Sequence, residues 1–267
     1  MSPAAEEPFG PEILIDDNGP VRTITFNRPH KRNAFDETLL AALHNAIVDA
    51  GRREDIRAVI LTGDDNAFST GADLNEYVGH GPLQARAANT RSWMRTFDAI
   101  ESLDKPVIAA VRGYAIAGGT ETILACDLVV AAEDSTFGLA EMRVGVMPGA
   151  GAVARLTRWV GRAYTKEILM TGDPLTGTEA HRIGLVNRLV PADQVLAEAN
   201  RLAEVLALRS PVAMAAVKRS VNVASETPLP YGMHYALQEF ALLFASDDQQ
   251  EGMSAFLEKR RPKFTGH

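Results

Sequence analysis

A mixed α/β core carrying a helical C-terminal region is the fold class this sequence predicts, and three observations carry it. Short apolar runs rich in Val, Ile and Ala alternate with segments of helical periodicity up to about residue 190. Beyond that point the periodicity is helical throughout, with little β signal. The chain of 267 residues, 46% hydrophobic and 23% charged, excludes a fibrous or disordered protein. At this length folding buries roughly 75% of the unfolded surface, so a sizeable core forms without disulfides or metals as staples.

Residues 1–11 carry Pro3, Pro8 and Pro11 with no periodicity and read as a tail, 12–208 as the core and 209–267 as the helical C-terminal region. Residues 21–26 predict a strand. A Pro/Asn/basic turn then leads to Asp36, an N-cap for a helix with Leu39, Leu43, Ala46, Ile47 and Ala50 on one face. Residues 58–61, 106–111 and 128–131 are short β-branched strands, the first two ended by turn residues. A helix at 83–100 and a short one at 119–125 lie between them, and helices at 192–208, 212–224 and 229–257 follow. Met214, Met233, Leu237, Phe240, Phe244, Met253 and Phe256 give that tail a large apolar surface, which fits self-association and fits packing onto its own core.

The 34 acidic and 27 basic residues leave a net charge of −7, which repels a phosphate backbone and argues against a nucleic-acid partner. The single cysteine, Cys126, lies in the apolar run 124–132, where a small buried thiol and a reducing compartment are expected. The opening MSPAAEEPFGPE has no apolar signal core, and no apolar run reaches the ~18 residues a membrane span needs, so the expectation is a cytoplasmic protein with no membrane partner.

Four segments combine glycine, small residues and a polar group. They are Ala67-Phe68-Ser69-Thr70-Gly71-Ala72-Asp73-Leu74, Gly113 through Glu121 with Gly118-Gly119, Phe137-Gly138-Leu139-Ala140-Glu141, and Met147-Pro148-Gly149-Ala150-Gly151. Amides at a helix start lack partners and carry partial positive charge, which suits a developing anion. Glu121 and Glu141 are the glutamates in these loops, and Glu121 in a first helical turn also simply complements the helix dipole. Gly149 to Ala154 imitates a dinucleotide fingerprint without the strand that motif requires. The histidines show no metal-ligand spacing and no serine sits in a Gly-x-Ser-x-Gly elbow, so no metal site or serine hydrolase is expected.

The order of these segments is more specific than any one of them. Asn27-Arg28-Pro29, Lys31-Arg32-Asn33-Ala34, the 67–74 segment, Lys105-Pro106-Val107-Ile108-Ala109-Ala110-Val111 with Gly118-Gly119, Phe137-Gly138-x-x-Glu141 and Pro148-Gly149-Ala150-Gly151 together resemble the enoyl-CoA hydratase (crotonase) family, from about residue 12 to the end. The resemblance implies a spiral of ββα turns followed by a helical region that builds homotrimers, stacked in many members as hexamers.

It further implies a lyase of fatty acid metabolism that adds water across C2=C3 of a 2-enoyl-CoA thioester. The thioester carbonyl would sit in an oxyanion hole formed by the Ala72 and Gly118 amides. Glu121 would activate the water and Glu141 protonate C2, two coupled carboxyls sharing their titration. Lys31, Arg32 and Lys259 are the candidates for the CoA phosphates. Phe240 matches an aromatic near the adenine and equally suits a core position on an amphipathic helix. Ala34, Thr70, Asp73 and Leu74 complete the implied substrate-binding set, and Tyr77, Trp93 and Met94 the implied acyl pocket or, equally, core packing. No cofactor is expected, since CoA belongs to the substrate.

The chain departs from the family pattern in three places. Ala117-Gly118-Gly119 stands where three glycines are common, Leu139-Ala140 where Gln-Pro is common, and Asn75 where a lysine is common. The rival readings are an isomerase or specialised acyl-CoA hydratase of the same fold, and an acyl-CoA or RNA-binding module. An RNA-binding relative uses a lysine-rich helix, and the comparable 36–50 helix here has no lysine.

Overall fold

In the computed structural model, which describes residues 9–267, residues 1–8 of the expected tail lie outside the described part. β1 (Ile13–Asn18) and β2 (Val21–Phe26) pair antiparallel. In α1 (Glu37–Arg52) the Asp36 carboxylate accepts the Leu39 N–H at 2.9 Å, and Leu39, Leu43, Ala46, Ile47 and Ala50 are all buried as the periodicity predicted.

Three β–turn–β units follow. They are β3 (Ala58–Thr62) with β4 (Ala67–Ser69), then, after α2 (Pro82–Ala88) and α3 (Arg95–Ser102), β5 (Val107–Val111) with β6 (Tyr114–Ile116), and after α4 (Gly118–Ala125), β7 (Leu128–Ala132) with β8 (Thr136–Gly138). α5 (Ala152–Thr171), kinked at Gly161, β9 (Leu175–Thr176), α6 (Gly177–Arg182) and β10 (Arg188–Val190) complete the α/β part. The chain then continues as α7 (Val195–Ala207), α8 (Pro211–Glu226), α9 (Leu229–Leu243) and α10 (Asp247–Leu257).

Each unit places its first strand in one sheet and its second in another. The larger sheet has the order β1-β2-β3-β5-β7-β10 and the smaller β4-β6-β8-β9. β3, β5 and β7 pair parallel and are buried on both faces, which is why they are near-continuous apolar runs. Val59, Leu61, Val107, Ala109, Val111, Val129 and Ala131 face a core shared with α1, α3 and α4. The alternate residues Ala58, Ile60, Ile108, Ala110, Val130 and Ala132 pack on Val195, Ala199, Leu202 and Ala203 of α7.

Several expectations need correction. The predicted helix at 83–100 is three pieces, because a π-helical turn at Asn89–Met94 separates α2 from α3 and turns Trp93 into the core. The predicted helix at 229–257 breaks at residues 244–246, where the Ser246 hydroxyl accepts the Gln249 N–H and caps α10. The loops at 67–74 and 113–121 do not merely follow strands: β4 and β6 lie inside them.

Cys126 is buried, and burial pushes its thiol far above the ordinary range. Among the described residues no helix is long and apolar enough to cross a membrane. Met233, Leu237, Phe240, Phe244, Met253 and Phe256 are all exposed, so they do not pack onto this chain's own core.

Candidate active site

The smaller sheet positions the site. β4, β6 and β8 are parallel neighbours, so their C-terminal ends lie side by side. Each end leads within a few residues to a candidate group: Ser69 to Ala72, Ile116 to Gly118 and Glu121, and Gly138 to Glu141. Ligand sites in parallel sheets form at this end of the strands.

Two backbone amides are unused there. The 70–73 loop is fastened to residues 32–35 by Thr70 N–H donating to the Arg32 carbonyl (3.2 Å), Phe35 N–H to Gly71 (2.7 Å) and Asp73 N–H to Phe35 (2.7 Å). That alternation turns the Ala72 amide the other way, and it donates to no acceptor among the described residues. Gly118 opens α4, so its N–H has no helical partner and likewise donates to none.

The two loops approach closely, and a side chain at Gly71 or Gly118 would clash. Gly71 has φ +88°, and a Cβ there would stand 2.8 Å from the Gly118 nitrogen; a Cβ on Gly118 would meet the Trp93 ring at 2.3 Å. Trp93 is 3% exposed and its indole N–H donates to the Tyr77 hydroxyl at 2.9 Å. Trp93 and Tyr77 thus wall the space beside Gly118, while Met94 is 44% exposed.

Ala117 adopts φ 51° and ψ −121°, a conformation suited to glycine. The angles are held by its N–H donating to Gly138 (2.7 Å) and by the Thr120 hydroxyl, which donates to the Ala115 carbonyl (2.6 Å) and accepts from the Gly138 N–H (3.3 Å). A positive φ costs an L-residue about 1–2 kcal/mol, partly offset by the ~0.5–1 kcal/mol that glycine's extra freedom costs in folding. Ala117→Gly is therefore expected to raise the melting temperature by about 2 °C in a thermal scan, and a lowered value would contradict the strain.

The two glutamates have different surroundings. Glu121 is 5% exposed, and its Oε1 accepts the Ala150 and Ala152 N–H groups, both at 3.0 Å, at the start of α5. Burial raises its pKa, while these two amides and then the Arg155 charge favour its anion. Glu141 has less support: its own backbone N–H favours the anion, but its Oε2 is buried without a hydrogen-bond partner. Burial, with a contribution from the Glu121 charge, pushes the Glu141 carboxyl up to about 7. Glu121 is thus anchored as an acceptor although burial raises its pKa, and Glu141 titrates near neutrality.

The other predicted residues divide into two groups. Lys31 lies beside the 70–73 loop, but its ammonium is 2.6 Å from Asp73 Oδ2, and that contact first, then Asn75, holds the Asp73 carboxyl at about 2. Arg32 is exposed, with its guanidinium over the Tyr114 ring. Ala34 is buried, Thr70 is half-buried with its hydroxyl 3.3 Å from the Arg32 carbonyl, and Leu74 is 57% exposed. Phe240 and Lys259 stand on and after the last helices, and among the described residues no hydrogen bond, ion pair or ring contact joins either to this cluster. Sequence reasoning misses the Ala150 and Ala152 amides, although both lie in the Gly149 to Ala154 stretch that imitates a dinucleotide fingerprint.

Two amides without acceptors among the described residues and two buried or half-buried carboxyls thus gather at the same end of the smaller sheet. The sequence profile described as Enoyl-CoA hydratase/isomerase matches residues 16–267. The 2,3-dehydroadipyl-CoA hydratase of Escherichia coli (strain K12) is 39% identical over 257 residues, covering 96% of this chain and 99% of that one. A probable enoyl-CoA hydratase of Mycobacterium tuberculosis (strain CDC 1551 / Oshkosh) is 39% identical over 253 residues, covering 95% and 97%. The crystal structure of an enoyl-CoA hydratase from Bacillus anthracis superposes with a TM-score of 0.92 at 35% identity, covering 96% of this chain and all of that one. The chain belongs to the enoyl-CoA hydratase/isomerase family, and its fold is that of the crotonases.

Proposed function

We propose that this enzyme is an enoyl-CoA hydratase that adds water reversibly across C2=C3 of a 2-enoyl-CoA thioester, using the two glutamates and two amides in the roles their surroundings favour. The observation that carries the assignment of roles is the contrast between Glu121, anchored by two N–H groups, and Glu141, whose Oε2 is buried without a partner and which titrates near neutrality.

The thioester carbonyl accepts the Ala72 and Gly118 N–H groups. The Glu121 carboxylate takes a proton from water as its oxygen bonds to C3, and the π electrons move onto the carbonyl oxygen as an enolate. As the enolate collapses, C2 takes the proton from Glu141. The charge is greatest in the transition state, so the two donors stabilise it more than the substrate, and losing one such donor costs about 2.7–4 kcal/mol. CoA enters as part of the substrate, with Lys31 and Arg32 at the edge of the 70–73 loop as its phosphate partners. The exposed apolar face of α9 and α10 supports assembly into homotrimers or hexamers, and the lone buried thiol of Cys126 supports a cytoplasmic setting.

Turnover of a panel of 2-enoyl-CoA esters graded in length and branching tests the reading. At least one ester should yield its 3-hydroxyacyl-CoA, and double-bond migration without hydration across the panel would point to an isomerase instead.

The pH dependence has a definite sign. Hydration starts with the proton on Glu141 and leaves it on Glu121, so both directions need one proton on the pair. As Glu141 loses its proton with a pKa of about 7, kcat/KM for hydration and for dehydration should fall together as pH rises beyond it. A flat profile to pH 9 would contradict the proton-bearing role.

A further inference from the structure

We propose that Arg155 is the positioning residue for Glu121, holding the backbone turn whose amides bind that carboxylate. The inference rests on the catalytic reading of Glu121 just given. Arg155 lies in the first turn of α5, and its three guanidinium nitrogens are all committed. Nε and Nη2 donate to Glu101 Oε1 and Oε2 at 2.7 and 2.6 Å, a bidentate pair, while Nη1 donates to the Ala150 carbonyl at 2.9 Å. The same peptide segment thus meets Arg155 through the Ala150 carbonyl and Glu121 through the Ala150 and Ala152 N–H groups.

Two further features fit this role. Gly151 has φ +111°, and a Cβ there would stand 2.1 Å from Arg155 Nη1, so the guanidinium occupies the space a side chain would need. The guanidinium also stacks over Phe97, which packs edge-on against Trp93, the ring that closes on Gly118. Glu101 sits near the end of α3, and its backbone carbonyl accepts the Asn222 amide of α8 at 3.3 Å. A planar fork suits this task, because a lysine reaches only one of the two partners at a time.

The titratable and charged groups that bear on Glu121 are Arg155 from α5, Glu141 from the turn after β8 and Tyr77 from the segment after β4. Arg155 is the cation among them, and it favours the Glu121 anion.

The test compares Arg155→Met, Arg155→Lys, Glu101→Gln and Glu121→Gln in kcat, KM and the pH profile for one enoyl-CoA ester, with melting curves alongside. Arg155→Met should lower kcat roughly 10²-fold, the cost typical of a small misplacement at a reacting group, with KM changed less than about threefold. It should also move the acid limb of the profile, where Glu121 takes up its proton, to higher pH, because a cation has been lost. Arg155→Lys and Glu101→Gln keep a cation beside the turn but loosen the clamp, so kcat should fall about tenfold with the limb not raised.

An unmoved acid limb in Arg155→Met, with activity tracking the folded fraction, would overturn the proposal. If that variant does not fold, wild-type kcat in both Arg155→Lys and Glu101→Gln overturns it. The parent reading is judged separately: activity surviving in Glu121→Gln removes the role of Glu121 itself, whereas an inactive Glu121→Gln beside wild-type Arg155 and Glu101 variants refutes this inference alone.

Discussion

Replacing Glu121 or Glu141 with glutamine is expected to lower hydration by about 10²- to 10⁴-fold each, the range a positioned general acid or base supplies. Glutamine keeps the volume and, at position 121, an oxygen able to accept the Ala150 and Ala152 N–H groups, so the fold and the affinity for acyl-CoA should persist. The two losses should not multiply in the double variant, since either carboxyl alone leaves the proton transfers incomplete. Steady-state kinetics with matched binding measurements check this. A loss confined to one variant would indicate single-acid chemistry, as in an isomerase.

The second large effect concerns stability. The Lys218 ammonium on α8 is buried, donating to Asp127 Oδ2 (2.8 Å), the Ile100 carbonyl (2.9 Å) and the Lys105 carbonyl (3.1 Å). The same Asp127 oxygen accepts the Val107 N–H at 2.8 Å, and burial outweighs Lys218 in raising the Asp127 pKa. One ammonium thus ties α8 to the end of α3, the start of β5 and the start of β7. Lys218→Met leaves a buried carboxylate and two carbonyls without that partner, and breaking such a pair from one side costs about 3–5 kcal/mol. The melting temperature should fall by on the order of 10 °C, and Asp127→Asn in the same chain should recover part of the loss. An unchanged melting temperature for Lys218→Met would show that α8 is held by its apolar contacts alone.

What the sequence made legible follows from where each element lies. β3, β5 and β7 are sandwiched between two apolar layers, so their runs of Val, Ile and Ala stand out. β4, β6 and β8 are three residues long with glycine within or close by each, which makes them indistinguishable from turns until their parallel pairing is seen. The π-helical turn at Asn89–Met94 leaves helical periodicity on either side of it, and periodicity alone cannot register the added residue.

Within the candidate site, the resemblance of the ordered motifs points to Ala72, Gly118, Glu121 and Glu141, which lie on loops at one end of the smaller sheet. It does not show why the two glutamates differ. That difference comes from backbone amides 29 and 31 residues beyond Glu121 and from an arginine anchored on α3, connections with no local sequence signature. Ala117 was visible as a departure from a glycine pattern, while its cost appears only in its positive φ.

The division of labour between the glutamates is tested most directly by hydrogen exchange at C2 of a saturated acyl-CoA in D2O. A saturated chain cannot be hydrated, so exchange isolates the proton transfer at C2 in the field of the Ala72 and Gly118 amides. The account predicts exchange in the wild type, its survival in Glu121→Gln, and its loss by about 10²-fold or more in Glu141→Gln. Exchange at wild-type rate in Glu141→Gln, or abolished by Glu121→Gln instead, would contradict the assignment of C2 chemistry to Glu141.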